Sequence, residues 1–470
     1  MINFTGTFTD KYQLTMAQAY FLQGQKNHSA LFDYFFRKIP FNGGYAIYAG
    51  LEDLLAIIEN LHFDKADLDY LKSQGFHSDF LNYLKNFKFK GSIYSCKEGE
   101  VIFPTCPILS VEANIIEAQI IETIVLNTLN FQTLIATKAS RIHEVAGGRN
   151  LIDFGLRRAQ GPGGYYASRA AMVGGFNATS NVRAGRDYQI PILGTMGHSF
   201  VQSYDNELNA FRAFAQSWPD NCVLLVDTYN TLGSGVPNAI QIAKEMEKQG
   251  HRLKGIRIDS GDLAYLSKKA RQLLDAEALT YVKISVSNQL DEFVIKSLLE
   301  QESPIDTFGV GTNLVIGAPD AALDGVYKLA FANNKPRIKI SDTLKKVSLP
   351  HKKQVYRILE NDHTFWGADV ITLFEENDLN RLFDPFEPGK SITLKNHKKE
   401  PLLAPVMMNG KPIERPKTLP EISQYCQQRL SALPLDYKRI INPHLYKVSL
   451  SEKLFNARNK LIDEYKGINK

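Results

Sequence analysis

The sequence predicts an α/β chain built on a parallel sheet that closes as a barrel, with α+β segments on either side of it in the chain. Three observations carry this. Between residues 150 and 313, short apolar runs rich in β-branched residues recur: LIDFG at 151, IPILGTM at 190, CVLLVDTY at 222, GIRID at 255, VKISVSN at 282 and DTFGVGTN at 306. Each is followed by a small-polar cluster and a helical stretch, the rhythm of βαβ units and a parallel sheet. Second, the runs are apolar through their bodies and polar only at their C-terminal ends, which suits a barrel because closure gathers those ends into one rim. Third, the periodicity before residue 110 and after residue 345 is mixed, short strands alternating with amphipathic helices.

Taken in order, TDKYQLTMAQAYFLQG (9–24) reads as a helix with Thr9 or Asp10 as N-cap and Gly24 as its stop. Strands follow in ALFDYFFRKIP, GSIYSC and EVIFPTCPILSVEA, with helices over 50–60 and 76–86. Residues 112–147 carry Glu, Ala, Ile and Leu at helical spacing and end at Gly147 and Gly148, so one long helix or two abutting helices lead into the barrel block. After residue 345 come a basic segment (LKKVSLPHKKQVYR), a β-rich stretch to about 410, an amphipathic helix over 420–432 and a charged helical tail over 450–466. The domain reading is therefore an N-terminal α+β segment (1–110), an α/β catalytic domain (111–345) and a C-terminal segment (346–470) that packs back on the N-terminal one.

Composition narrows the function. The 470 residues carry 55 basic and 50 acidic side chains, a net charge of +5, with 44% hydrophobic residues. That balance argues against a nucleic-acid partner but allows a local anion site. No apolar run approaches the ~18 residues of a membrane span, and the first residues lack a basic n-region and an apolar h-region, so the expectation is a cytoplasmic protein with no membrane partner. The four cysteines include no CxxC pair, which speaks against zinc.

The rim positions are where chemistry gathers. They are Asp153, Phe154, Arg157 and Arg158; Thr195, His198 and Ser199; Asp227, Thr228 and Asn230; Arg257, Asp259, Ser260 and Asp262; Ser287 and Asn288; and Gly309, Gly311, Thr312 and Asn313. Arginine forks bind phosphate or carboxylate oxygens, and backbone N–H groups in a turn such as GVGTN can cradle a phosphate. Aspartates among them suit Mg²⁺ or sugar hydroxyls. No GxGxxG follows a strand and no GxxxxGK[ST] occurs, so neither a dinucleotide fold nor a P-loop is indicated.

These stretches resemble nicotinate phosphoribosyltransferases, a type II phosphoribosyltransferase family. The motifs that carry the resemblance are TDKYQLTMAQAY (9–20), FDYFFRKIPFNGGYAIYAGLEDLL (32–55), DFGLRRAQG (153–161), FNATSNVRAG (176–185), GTMGHSF (194–200), VDTYNT (226–231), IRIDSGDL (256–263), SVSNQLDE (285–292), FGVGTNL (308–314) and LPHKKQVYR (349–357). The resemblance implies an irregular α/β barrel with an α+β domain formed from N-terminal and C-terminal segments. It implies transfer of the phosphoribosyl group of PRPP to nicotinate, with ATP as co-substrate, Mg²⁺ on the pyrophosphate and a homodimer with shared active sites.

Carried over position by position, Phe154 and Tyr12 resemble the two faces that sandwich the pyridine ring, Tyr12 coming from the neighbouring subunit. Arg157 resembles the substrate-side arginine, and Arg257 with Asp259 the pair that holds ribose and phosphates. Gly311, Thr312 and Asn313 lie where the family binds the 5′-phosphate. His198 matches the histidine phosphorylated by ATP, and Asp227 a carboxylate that orients it. Thr179, Ser180, Ser287, Asn288 and Gly309 are expected to line the substrate site, while the Mg²⁺ ligands stay unassigned. The nicotinamide relative has an aspartate where this chain has Ser180, which favours nicotinate. Nicotinamide transfer, or a catalytically silent ligand-binding relative, are the alternatives.

Overall fold

The computed structural model describes residues 4–342, 346–376, 379–387, 389–394 and 397–467. By its internal contacts the chain divides into two compact units, Lys138–Ala321 and the combination of Met1–Thr137 with Ala322–Lys470. Set beside the domain reading from sequence, the barrel unit begins at Lys138 rather than at 111 and ends at Ala321 rather than at 345.

The Lys138–Ala321 unit is built on six parallel strands: β1 (Asn150–Asp153), β2 (Ala178–Thr179), β3 (Val223–Leu225), β4 (Gly255–Ile258), β5 (Lys283–Ser287) and β6 (Thr307–Val310). Their spatial order is β2-β1-β6-β5-β4-β3, a cyclic permutation of the chain order, as in a barrel opened at one seam. Their bodies are buried: Leu224, Ile256, Ile284 and Phe308 are each wholly inaccessible, as expected of strands covered on both faces. Crossover helices cover them. In Val236–Lys248 the buried residues Val236, Ala239, Ile242, Ala243 and Met246 recur at helical spacing and make one apolar stripe. A buried carboxylate, Glu292 at the head of the helix following β5, takes an ion pair from Lys138 and another from Arg141 at 2.9 Å.

One expected strand is different. The run at 190–193 forms only a bridge, Ile192 to Thr179, with Thr179 N donating to Pro191 O and Leu193 N to Thr179 O. Proline lacks a donor for a longer ladder, and Ile192 and Leu193 are half exposed instead of buried. The seam of the ring thus lies between this segment and β3. The two-residue β2, which the sequence pattern did not single out as a strand, takes a place beside β1.

The other unit holds the two flanking segments in common sheets. A seven-stranded antiparallel sheet centres on Ser29–Phe36, which pairs with Leu109–Asn114 on one side and with Gly325–Ala332 on the other. A six-stranded mixed sheet from residues 353–451 supplies Arg357, fully buried between Glu100 and Asp369. The predicted helices at 9–24, 50–60, 76–86 and 420–432 appear as Lys11–Leu22, Leu51–Asn60, Ser78–Lys85 and Leu419–Ala432. The helix Lys65–Ser73, closed by an Asp64/Asp67 capping box, was not anticipated. The 112–147 stretch is two abutting helices, Ile115–Ile120 and Glu122–Ala146, ending at Gly147 and Gly148, both with positive φ. Leu344 and Lys345 of the basic segment lie outside the described residues.

Candidate active site

Strand β1 ends in the residue that organises one side of the rim. Asp153 is wholly buried and accepts from Gly155 N (2.8 Å), Ser168 Oγ (2.7 Å) and Thr179 Oγ1 (2.8 Å). Burial pushes its pKa up and the three donors oppose this. The consequence is a fixed turn that delivers Phe154, whose N–H donates to Val310 O at 2.8 Å. Its ring lies over Gly309 so closely that a Cβ there would meet Cδ2 and Cε2 at 2.4 Å. Glycine at 309 is what lets an aromatic plate cover the end of β6.

Arg257, on β4, stands near this plate: its guanidinium is 5.9 Å from the Phe154 ring centroid and donates to Thr195 Oγ1 at 2.6 Å. Burial lowers the Arg257 pKa, opposed by the charges of Asp259 and Asp227 and reinforced by that of Arg157. Its Nε is buried with no acceptor among the described residues. Asp259 accepts from Ser287 Oγ. Asp227 accepts from Asp259 N (2.8 Å) and Ser260 Oγ (2.6 Å) through one oxygen, while its Oδ1 is buried without a partner among the described residues. An orphan donor and an orphan acceptor on neighbouring strand ends are what a charged ligand would satisfy.

His198 opens the short helix His198–Gln202 beside the seam. Its Nδ1 is 3.1 Å from Thr228 Oγ1, and its Nε2 is 3.8 Å from Asp259 Oδ2. The imidazole's hydrogen-bond partner is Thr228, and Asp259 is the carboxylate within ion-pair distance of it; Asp227, expected to orient the ring, has no bond to it among the described residues.

Other expected residues divide. Arg157 is exposed in the short turn Leu156–Arg158. Ser180 is half-buried, its N–H bound to Asp153 O, and its hydroxyl has no partner among the described residues. Ser287 is buried against Asp259, and Asn288 follows it exposed with φ of 88°. Gly311 and Thr312 are partly exposed after β6, and Asn313 donates to Leu290 O at 3.2 Å. Thr179 is wholly buried, its hydroxyl donating to Asp153 and accepting from Asn181 N at 3.0 Å, so its side chain braces the site. Tyr12 belongs to the other compact unit, where it is 49% exposed and donates to Glu122 at 3.1 Å. Burial and the Glu122 carboxylate hold its pKa up at about 12. Sequence reasoning placed Thr195 and Thr228 on the rim without giving either a task, and it missed Ser168, a helix residue with no local signal.

The parallel ring and its rim define a class. The backbone superposes on the crystal structure of human Nicotinic Acid Phosphoribosyltransferase with a TM-score of 0.87 and 30% identity, over 96% of this chain and 99% of that one, so the fold is that of the type II phosphoribosyltransferases. A structure described as nicotinate-nucleotide pyrophosphorylase from Pyrococcus furiosus shares the fold, with a TM-score of 0.71 at 24% identity over 91% of this chain and 95% of that one. The chain belongs to the nicotinate phosphoribosyltransferase family. The family's N-terminal domain matches residues 7–130, the nicotinate phosphoribosyltransferase (NAPRTase) family model residues 149–365 and its C-terminal domain residues 352–458. Nicotinate phosphoribosyltransferase of Bacillus subtilis is 44% identical over 97% of this chain and 95% of its own length, and that of Caenorhabditis elegans 36% identical over 96% and 92%.

Proposed function

We propose that this chain transfers the phosphoribosyl group of PRPP to nicotinate, and that ATP hydrolysis through phosphorylated His198 drives the transfer. The observation that carries the reading is the meeting on one rim of an aromatic plate (Phe154), a half-buried guanidinium whose Nε has no acceptor among the described residues (Arg257), a half-buried carboxylate whose Oδ1 has no partner among them (Asp227) and an imidazole (His198).

In the glycosyl step the pyridine nitrogen lone pair forms the bond to C1′ while the C1′–oxygen bond breaks and pyrophosphate leaves with the electron pair. No proton moves, so the site's tasks are alignment, charge stabilisation and exclusion of water. Phe154 suits the flat ring, the partnerless Ser180 hydroxyl can donate to the nicotinate carboxylate, and Arg257 with Arg157 offsets the developing phosphate charge. The stretch Gly311–Asn313 suits the 5′-phosphate.

No group of three or more His, Cys, Asp or Glu able to hold a metal ion occurs among the described residues. Mg²⁺ carried by pyrophosphate would keep waters and take one or two protein carboxylates; Asp227, whose Oδ1 is buried without a partner among the described residues, and Asp259 would supply them. When bound, the ion would neutralise charge on the departing oxygens. In the ATP half-reaction an imidazole nitrogen attacks the γ-phosphorus, ADP leaves, and water later cleaves the phosphohistidine to inorganic phosphate.

We read the protein further as a cytoplasmic homodimer in NAD salvage, Tyr12 closing the partner's site. No described helix is long and apolar enough to cross a membrane. Incubating the pure protein with nicotinate, PRPP, ATP and Mg²⁺ should yield nicotinate mononucleotide, pyrophosphate, ADP and phosphate. A higher kcat/KM for nicotinamide would overturn the substrate assignment.

A further inference from the structure

Ser180 stands between two residues that the chain buries. Thr179 is wholly inaccessible and Asn181 is 2% exposed, yet Val182, the next residue, is 67% exposed. The chain dips inward for one asparagine beside the rim and comes straight out again. Burying an amide is costly unless its polar atoms are met.

Those of Asn181 are met. Its N–H donates to Thr179 Oγ1 at 3.0 Å and its carbonyl accepts from Gly185 N at 2.8 Å. Its side-chain Oδ1 accepts from Ala184 N at 3.2 Å and caps the helix Val182–Tyr188. Its Nδ2 donates to Gly164 O at 3.3 Å and to Ser168 Oγ at 3.2 Å, both on the helix Gly163–Val173. Capping needs only the oxygen, and a serine would supply one equally well. The two Nδ2 bonds are what capping leaves unexplained.

The bond to Ser168 closes a circuit. Ser168 Oγ accepts from Asn181 and donates to Asp153 Oδ2 at 2.7 Å, Asp153 O accepts from Ser180 N at 2.9 Å, and Ser180 leads back to Asn181 through the peptide bond. Phe154 follows Asp153, so the aromatic plate and the Ser180 loop hang from one buried network. A network with its members satisfied favours a single arrangement. The Ser180 hydroxyl lies outside it, without a partner among the described residues.

We propose that Asn181 is a positioning residue for substrate choice: through Ser168 it fixes where the Ser180 hydroxyl stands relative to Phe154, and so sets the preference for a pyridine carrying a carboxylate over one carrying an amide. This rests on the reading of Ser180 as the donor to nicotinate.

Kinetics on nicotinate and nicotinamide test it in the parent protein, Ser180→Ala, Asn181→Ser and the double variant. Serine keeps the cap and is too short to reach Gly164 and Ser168; if that variant does not fold, Asn181→Thr, also a capping residue, replaces it. A hydrogen bond to a charged acceptor is worth about twice one to a neutral acceptor. Ser180→Ala should therefore lower kcat/KM about 10- to 100-fold for nicotinate and about two- to tenfold for nicotinamide. Asn181→Ser should lower it about three- to tenfold for nicotinate and hardly at all for nicotinamide, with KM for PRPP unchanged. In the Ser180→Ala background it should add nothing, since there is no hydroxyl left to position. Equal losses on the two pyridines, or effects that multiply in the double variant, overturn the proposal and leave the transfer reaction standing. A Ser180→Ala protein with parental kinetics on both pyridines overturns it together with the reading of Ser180, and a parent protein that does not turn over nicotinate overturns the transfer reading as well.

Discussion

Gly309→Ala is a one-carbon perturbation whose effect can be worked from the structure. The added Cβ would sit 2.4 Å from two carbons of the Phe154 ring, against an ordinary carbon contact of about 3.5–4.0 Å, so something must yield by about 1 Å. The backbone cannot do so readily, since Gly309 is paired on one side with Ser287 and on the other with Ile152, and it is buried. The ring must move instead. Overpacking of this kind costs about 1–3 kcal/mol of stability, and displacing a substrate-positioning surface by about 1 Å can lower the rate about 100-fold. Steady-state kinetics with nicotinate varied at saturating PRPP should show kcat/KM for nicotinate falling by that order, with a smaller change in KM for PRPP. Adding Phe154→Ala to Gly309→Ala should recover stability but not activity, a non-additive pair. Wild-type kcat/KM together with an unchanged melting transition in Gly309→Ala would refute the claim that the Phe154 plate rests on this glycine.

Three further outcomes follow from the rim. Thr228→Val keeps the shape but removes the partner of His198 Nδ1, worth about 0.5–1.5 kcal/mol, so ATP hydrolysis should fall about two- to tenfold while transfer at saturating PRPP is spared. If Asp227→Asn, and not Thr228→Val, shows that selective loss, the carboxylate is the partner in solution. Ser180→Asp sets a carboxylate toward nicotinate's own and should lower kcat/KM for nicotinate by about 100-fold, with little effect on nicotinamide; an unchanged ratio between the two substrates removes Ser180 from the site. Mixing inactive Tyr12→Ala and Arg257→Ala subunits should restore about a quarter of wild-type activity, since half of randomly formed dimers carry one intact site. No recovery after verified subunit exchange places Tyr12 elsewhere.

The parallel strands were legible because their apolar bodies and polar ends repeat in step with the βα rhythm. The 190–193 run imitates that pattern, yet Pro191 and the exposed Ile192 and Leu193 leave it a bridge. Strand β2 was illegible for the opposite reason: two residues are too few for any periodicity, and it is held by Asp153 and its neighbours. Within the site, the residue types at strand ends were readable and their pairing was not. Asp227 and Thr228 are adjacent in sequence, and which of them meets His198 depends on side-chain directions at the end of β3. The domain reading ran along the chain and broke near 111, whereas the helix Glu122–Ala146 continues past Thr137 and carries Lys138 and Arg141 to Glu292. That buried triad leaves no mark in a local pattern.

In the proposed reaction His198 is a phosphate acceptor, separate from the glycosyl chemistry. Incubating wild type and His198→Asn with γ-³²P-ATP, and measuring nicotinate mononucleotide formed at low and high PRPP in parallel, tests this most directly. The expected result is acid-labile label on the wild type alone, and a variant that folds normally, hydrolyses no ATP and still transfers at high PRPP. A native-like His198→Asn protein that makes no nicotinate mononucleotide at any PRPP concentration, or one that keeps ATP-coupled turnover, would contradict it.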